Sequence, residues 1–368
     1  MADKDAYERL GEHLSHLGMG YPYRDDLITI LKENFTPLEA KVVFALPNGL
    51  IPLQPVGVDD ILSRVDLPRE ELVDILESLS KRGLIFVGET KEGEKGYALH
   101  QVGFGFPQSF FWKGEETAKA RKMAPLLTKY FNREVTREAF SPSETKAYRY
   151  IPVKRTIDPE KQGIYPYHMM EKVIKEAKQI ALAHCPCRVI FGLRGGECKH
   201  PKEVCMKFND MAHYVIERGF AKEITKDEAL EVIKVSEEAG LVHFVDNAEG
   251  DIRHNCNCCG CACWNVGNIR RRKVPRDVLM ATYFLRETDE DACIGCGACV
   301  EICPVDALEL DGDVPVVDEE WCIGCGVCDT VCPSEAITMK MRPDRTDRLP
   351  AANFAELHEK ILEEKRGK

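Results

Sequence analysis

Residues 254–265 read His-Asn-Cys-Asn-Cys-Cys-Gly-Cys-Ala-Cys-Trp-Asn, placing Cys256, Cys258, Cys259, Cys261 and Cys263 within eight positions. Four more thiols precede them as C-x-C-x10-C-x6-C: Cys185, Cys187, Cys198 and Cys205. Eight follow between Cys293 and Cys332, completing the 17 of the chain, and none lies before Cys185. Thiols at this density are either a disulfide framework or ligands for soft metals. The start of the chain is charged and lacks a basic segment followed by an apolar one. No apolar run of about 18 residues occurs, so the protein is expected to be soluble and cytoplasmic, where thiols stay reduced and bind metal.

The eight C-terminal cysteines fall into an internal repeat offset by 29 residues, CIGCGACVEICPVDAL from Cys293 and CIGCGVCDTVCPSEAI from Cys322. Each copy is C-x2-C-x2-C-x3-C-P. Residues 289–341 thereby resemble the bacterial ferredoxin that carries two [4Fe-4S] cubanes. In that family three cysteines of one run and the fourth of the other hold each cluster. The resemblance implies Cys293, Cys296, Cys299 and Cys332 around one cubane, and Cys322, Cys325, Cys328 and Cys303 around the second. Gly295, Gly297, Gly324 and Gly326 let the backbone approach the sulfurs, while Pro304 and Pro333 turn the chain after the fourth ligand. An apo zinc ribbon would want two C-x2-C pairs, not eight cysteines in this arrangement.

The nine earlier thiols leave three readings open: two further [4Fe-4S] clusters, one cluster plus zinc, or one unusual cluster. The adjacent Cys258 and Cys259 do not easily bind one ion together. The Cys258-Cys259-Gly260 triplet resembles the CCG signature of the heterodisulfide-reductase non-cubane clusters, a family with two such motifs where this chain has one. His184, His200 and His254 flank the thiols and are expected to be hydrogen-bonding neighbours. No C-x-x-C-H is present, which excludes a c-type haem.

Elements must position these groups. Around the thiols a mainly helical frame is expected: a helix from about Met169 that Pro186 breaks between Cys185 and Cys187, and a second from near Pro201 through Cys205 to about Gly219. A third opens on the capping box Thr225 to Glu228 and ends at Gly240. Residues 36–100 read as a winged helix-turn-helix, with Thr36 and Glu39 as a capping box around Pro37. Its third helix has Leu72, Ile75 and Leu79 inward, and LIFVGETKEGEKGYALH forms a hairpin. Phe104, Phe106, Phe110, Phe111 and Trp112 read as a core segment.

The fold class expected is α+β and multidomain. Its parts are an N-terminal helical and winged-helix-like region (1–105), a connecting helical region (106–167), a cysteine-rich metal or iron–sulfur domain (168–288), a ferredoxin domain (289–341) and a helical tail (342–368). Phe354, Leu357, Ile361 and Leu362 give the tail an apolar face for another subunit or for its own chain.

Net charge is −11, and the third helix of the winged-helix-like region opens with Glu70, Glu71 and Asp74. Both disfavour nucleic acid. Residues 290–340 hold twelve Asp or Glu and one Lys. That surface asks for a basic docking partner. A basic run, Arg270, Arg271, Arg272, Lys273 and Arg276, reads as a solvated surface, an acidic partner's dock or a charge beside a cluster. The chain order resembles ferredoxin-domain proteins of anaerobes, which implies electron transfer. The expected function is single-electron transfer as a subunit of an oxidoreductase complex, with redox partner proteins and no membrane span. Two alternatives are a reductase with a catalytic cluster in the 185–263 region and a redox-sensing transcription regulator.

Overall fold

The computed structural model describes residues 4–140, 143–153, 169–345 and 350–367. The N-terminal region opens with α1 (Ala6–Ser15) and α2 (Asp25–Asn34), followed by α3 (Pro37–Ala45), β1 (Val56–Gly57), α4 (Val58–Leu62), α5 (Arg69–Lys81), β2 (Ile85–Glu89) and β3 (Lys95–Leu99). The Thr36 capping box forms, with Pro37 in the first turn. The three strands make an antiparallel sheet ordered β1-β3-β2. α5 buries Leu72, Leu76 and Leu79, so Leu76 takes the inward place expected of Ile75, which is half-buried. Phe104, Phe106, Phe111 and Trp112 are core, and α6 (Ala118–Tyr130) and α7 (Arg133–Phe140) follow.

The cysteine-rich region departs from the helical expectation. Its frame is a seven-stranded sheet ordered β10-β4-β8-β9-β6-β5-β7, antiparallel except for the β10–β4 edge. In chain order its members are β4 (Tyr148–Ile151), α8 (Met170–Glu176), β5 (Ile180–His184), α9 (Pro186–Leu193), β6 (Glu203–Phe208), α10 (Asn209–Glu217), β7 (Lys222–Glu223), α11 (Lys226–Glu238), β8 (Val242–Asp246), β9 (His254–Cys258), α12 (Val266–Arg270) and β10 (Met280–Ala281). Pro186 starts a helix instead of breaking one, because its missing N–H costs nothing in a first turn. Cys205 lies on a strand where a helix was expected.

The misreading has a physical cause. β9 buries His254, Asn255 and Asn257 as well as Cys258, so polar and apolar side chains are both inside and no alternation marks the strand. Residues 148–151, expected in a connecting helical region, supply a strand between β8 and β10.

The C-terminal module begins with β11 (Phe284–Thr288), which pairs antiparallel with β14 (Ile337–Met341). Between them lie α13 (Ala298–Ile302), the hairpin β12 (Leu308–Asp311) and β13 (Val314–Val317), and a 3-10 turn at Val327–Val331. The 29-residue repeat is visible in the backbone. Gly295 and Gly324 (φ 66° and 62°), Gly297 and Gly326 (74° and 72°), and Asp306 and Glu335 (51° and 53°) occupy matching left-handed positions. At Gly324 a Cβ would stand 2.0 Å from the Phe284 carbonyl oxygen, so only glycine fits there.

Among the attachments that join the parts are the C-terminal helix and the basic run. α14 (Phe354–Arg366) packs on the N-terminal helices of its own chain. Phe354, Leu357, Ile361 and Leu362 are buried, and Lys365 donates to the carbonyls of Ser15 and Leu17. The basic run turns onto the C-terminal module. Arg272 donates to the carbonyls of Val305 (2.8 Å) and Asp306 (2.6 Å) and lies 4.5 Å over the Trp321 ring. Arg270 pairs with Asp306, and Arg276 donates to the Cys322 carbonyl.

Arg272 is solvent-exposed, so its bonds and ring contact together are worth about 1–2 kcal/mol. Arg272→Ala should speed hydrogen exchange of residues 284–341 roughly five- to thirty-fold, at about 1.4 kcal/mol per decade. Unchanged protection would mean that strand and apolar contacts alone attach the module.

Candidate functional site

The structure sorts the seventeen thiols into four sets that differ from their grouping along the chain. All are free. In the C-terminal module a small open pocket is lined by Cys293, Cys296, Cys299, Cys332 and Arg286. Cys303, Cys322, Cys325 and Cys328 lie together on the inner side, close enough to raise one another's resistance to ionisation. Burial acts first on Cys325 and Cys328 and pushes both thiols up. The Ala307 N–H reaches Cys303 Sγ at 3.3 Å, the kind of backbone donor that stabilises a thiolate.

Arg286 stands between the two sets. Its Nη2 is 3.7 Å from Cys299 Sγ, and its charge lowers the pKa of both Cys299 and Cys328 against their burial. It is 7% exposed, and its Nε and Nη1 have no hydrogen-bond partner among the described residues. A buried guanidinium aimed at two sets of sulfurs fits an anionic thiolate-bound group at each.

The middle region holds a third set of six. β5 leads to Cys185, which caps α9, and Cys187 sits in the first turn of that helix. Cys205 lies on β6. Cys256 and Cys258 share one face of β9, two residues apart, and Cys263 follows on the turn before α12. Cys205, Cys256, Cys258, Cys263, Cys187 and Cys185 follow one another as neighbours, each thiol close enough to shift the ionisation of the next. Donation from its neighbours Cys187 and Cys258 holds Cys263 down at about 6. Cys205 and Cys258 similarly hold Cys256 well below the ordinary thiol range.

Two buried cations face this set. Lys207 Nζ donates to His254 Nδ1 at 2.6 Å, which fixes the proton on Nε2, and Nε2 donates to Cys256 Sγ at 2.9 Å. Burial and the Lys207 charge lower the His254 pKa to about 4, so the ring is neutral and serves as a donor. Arg188, 1% exposed, donates to the carbonyls of Pro201 and Asn257 and lies close to Cys185, Cys258 and Cys259.

The fourth set is Cys198, His200, Cys259 and Cys261, at the sheet end. Cys258 and Cys259 thus serve different sets. β9 ends at Cys258, and the chain turns between them.

The middle region touches the C-terminal module near both of these sets. Between Cys259 and Cys261, Gly260 packs so closely that a Cβ would stand 2.2 Å from the Pro304 carbonyl oxygen, one residue after Cys303. The Val153 N–H donates to the Cys325 carbonyl at 3.0 Å. The fully buried Tyr150 hydroxyl accepts from Asn265 and feels Cys263 and Cys258 of the middle set and Cys325 of the inner ferredoxin set. Sequence reasoning passed over Arg286, Tyr150 and Lys207 as site residues, and His200, expected as a hydrogen-bonding neighbour of the thiols, lies 3.5 Å from Cys198 Sγ. Lys207 and Tyr150 carry no motif, and only their place in a sheet brings them to sulfur.

Residues 286–339 match the family model described as a 4Fe-4S dicluster domain. This chain carries a ferredoxin-type 4Fe-4S module. A subunit of the ion-translocating oxidoreductase complex of Methanosarcina acetivorans is 46% identical over 39 residues, which are 11% of this chain. The matched stretch covers 15% of that relative's length. No solved structure matches the chain. Among the described residues no helix is long and apolar enough to cross a membrane.

Arg286→Gln removes the buried charge between the two ferredoxin sets. Both ferredoxin potentials should fall, on the order of tens of millivolts, with iron content unchanged. A redox titration followed by electron paramagnetic resonance checks this. Unchanged potentials would mean that Arg286 only fills space.

Proposed function

We propose that the protein is an electron-transfer subunit of an oxidoreductase complex, carrying single electrons between a protein partner and a buried iron–sulfur centre in its middle region. The observation that carries this reading is the six-thiol set, gathered beside two buried cations, with the buried Tyr150 hydroxyl near enough to Cys258, Cys263 and the inner ferredoxin Cys325 to feel all three. Its donor chemistry is all sulfur, which suits an iron–sulfur cluster.

In this reading Cys293, Cys296, Cys299 and Cys332 hold the outer [4Fe-4S] cluster, and Cys322, Cys325, Cys328 and Cys303 hold the inner one. Cys185, Cys187, Cys205, Cys256, Cys258 and Cys263 provide for a third. When bound, the clusters supply one-electron carriers. One electron arrives from a reduced protein partner and one leaves to an oxidised partner, with no bond made or broken. The residues set direction by access. Cys296 is exposed beside Ile294, which is 66% exposed, while Cys303, Cys325 and Cys328 of the inner set are buried and Cys322 half-buried. Exposed Ile294, Leu310 and Val316 amid the acidic surface suit a partner with an apolar contact and a basic rim.

The weak relative, named as part of an ion-translocating oxidoreductase complex, agrees with a place in such an assembly. Residues 36–100 we read as a winged-helix-like scaffold. Its α5 is engaged inside the molecule, where Glu77 pairs with Arg218, and its free face carries Glu70, Glu71 and Asp74, which oppose nucleic acid. One observation favours a second reading, a reductase. Six thiols face a centre where a cubane takes four, which leaves two for chemistry.

Iron and acid-labile sulfide per chain after anaerobic purification test the proposal. Three cubanes give about 12 iron, and two give about 8. The pair Cys187→Ser and Cys263→Ser should remove about 4 iron and leave the ferredoxin signals in place. A wild-type value near 8, or no loss in the variant, would rule out the middle cluster.

A further inference from the structure

We propose that Cys198, His200, Cys259 and Cys261 form a mononuclear tetrahedral zinc site, separate from every iron–sulfur centre of the chain. The four ligand atoms all lie within 4.8 Å of one another. Sγ of Cys198 is 3.4 Å from that of Cys261 and 3.8 Å from that of Cys259, and Cys259 and Cys261 are 3.4 Å apart. His200 Nδ1 is 3.5 Å from Cys198 Sγ and 3.9 Å from Cys261 Sγ.

These spacings decide the nuclearity. Zinc holds sulfur at about 2.3 Å and nitrogen at about 2.0–2.1 Å, so a tetrahedron around one ion sets its ligand atoms roughly 3.5–3.8 Å apart. A cubane places an iron–sulfide cage between its thiolates, and they stand much further apart. The molecule holds its own reference for the larger spacing. Among the described residues no three of the ferredoxin cysteines, which resemble cubane ligands residue by residue, meet mutually within the 4.8 Å at which this quartet meets, and no three of the six middle thiols do.

The donor set narrows the metal. Three thiolates and one imidazole, with the fourth position taken by protein, make a closed structural site of the Cys3His kind. Cys259 is buried and the other three are half-buried, so the site lies at the edge of the fold, where an ion can enter. Each arm is two ligands with one residue between: Cys198-Lys-His200 on the loop before β6, and Cys259-Gly-Cys261 after β9.

One ion would pin these loops together. It would thereby hold Gly260 against the Pro304 carbonyl, next to the inner ferredoxin cysteines. Zinc has no redox chemistry, so the pin neither takes nor stores an electron. The inference does not depend on the electron-transfer reading, since zinc and iron are counted separately.

The test is metal analysis of the full chain purified anaerobically, with zinc and iron measured on one sample. Wild type should hold one zinc per chain. The pair Cys198→Ser and Cys261→Ser should lose that zinc and keep all its iron. A second measurement needs no variant: zinc-edge X-ray absorption of the wild type should show three sulfurs and one nitrogen. His200→Cys should keep the zinc with four sulfurs. A wild type without zinc, a zinc shell of another composition, or loss of iron in the double variant would overturn the site. A normal zinc result beside about 8 iron would instead sink only the middle cluster.

Discussion

Three buried cations govern the arrangement of this molecule: Arg188, Lys207 and Arg286, exposed by 1%, 0% and 7%. None makes an ion pair with a carboxylate among the described residues, and the charge of each lowers the pKa of a nearby thiol. An uncompensated buried charge costs several kcal/mol, so negative charge on the neighbouring sulfurs would stabilise each cation. Without metal, neighbouring thiols and burial push Cys185, Cys205 and Cys258 up and burial pushes Cys325 and Cys328 up, while neighbouring thiols hold Cys256 and Cys263 down. The cations oppose the cost of ionising the raised thiols when metal binds, without removing it.

The protein body supplies these cations from different places. Arg286 comes from β11, where pairing with β14 closes the ferredoxin module and puts the guanidinium between its two cysteine sets. Lys207 comes from β6, beside β9, and reaches Cys256 through a neutral His254. Arg188 comes from the helix that Cys185 caps, and its two carbonyl bonds tie that helix to β9 and to the loop before β6. Lys207 shares β6 with Cys205 and Arg188 shares its helix with Cys187, while Arg286 stands on the strand that leads into the first ferredoxin cysteines, so a fold that positions the thiols positions the cations.

How much of this is legible in the sequence depends on whether the local chain or the sheet decides. The ferredoxin module is written locally. Its ligand spacing, its glycines and its prolines lie within two short repeats, and the backbone repeats with them down to Asp306 and Glu335. The capping boxes at Thr36 and Thr225 are equally local and form as read. The middle region is not local. Cys185 and Cys205 meet Cys256, Cys258 and Cys263 only because strands far apart in sequence pair, and β9 hides that pairing behind buried asparagine and histidine. The chain grouping of four and five thiols therefore misled, since the fold regroups them as six, and as three with His200.

Position along β9 explains the regrouping. Side chains two apart on a strand share a face, so Cys256 and Cys258 join one set. Where the strand ends, the next residue is free of that rule, and Cys259 leaves the set with Cys261. A run of adjacent thiols thus becomes the boundary between two sets. Gly260, at that boundary, is also the point of closest approach to Pro304 in the ferredoxin module. Any side chain there would press against a carbonyl one residue from Cys303. The cysteine-rich loop is built so that the six-thiol set keeps to the sheet face while its outer turn bears directly on the ferredoxin module, and the glycine between the two thiols of that turn sets how near the two can come.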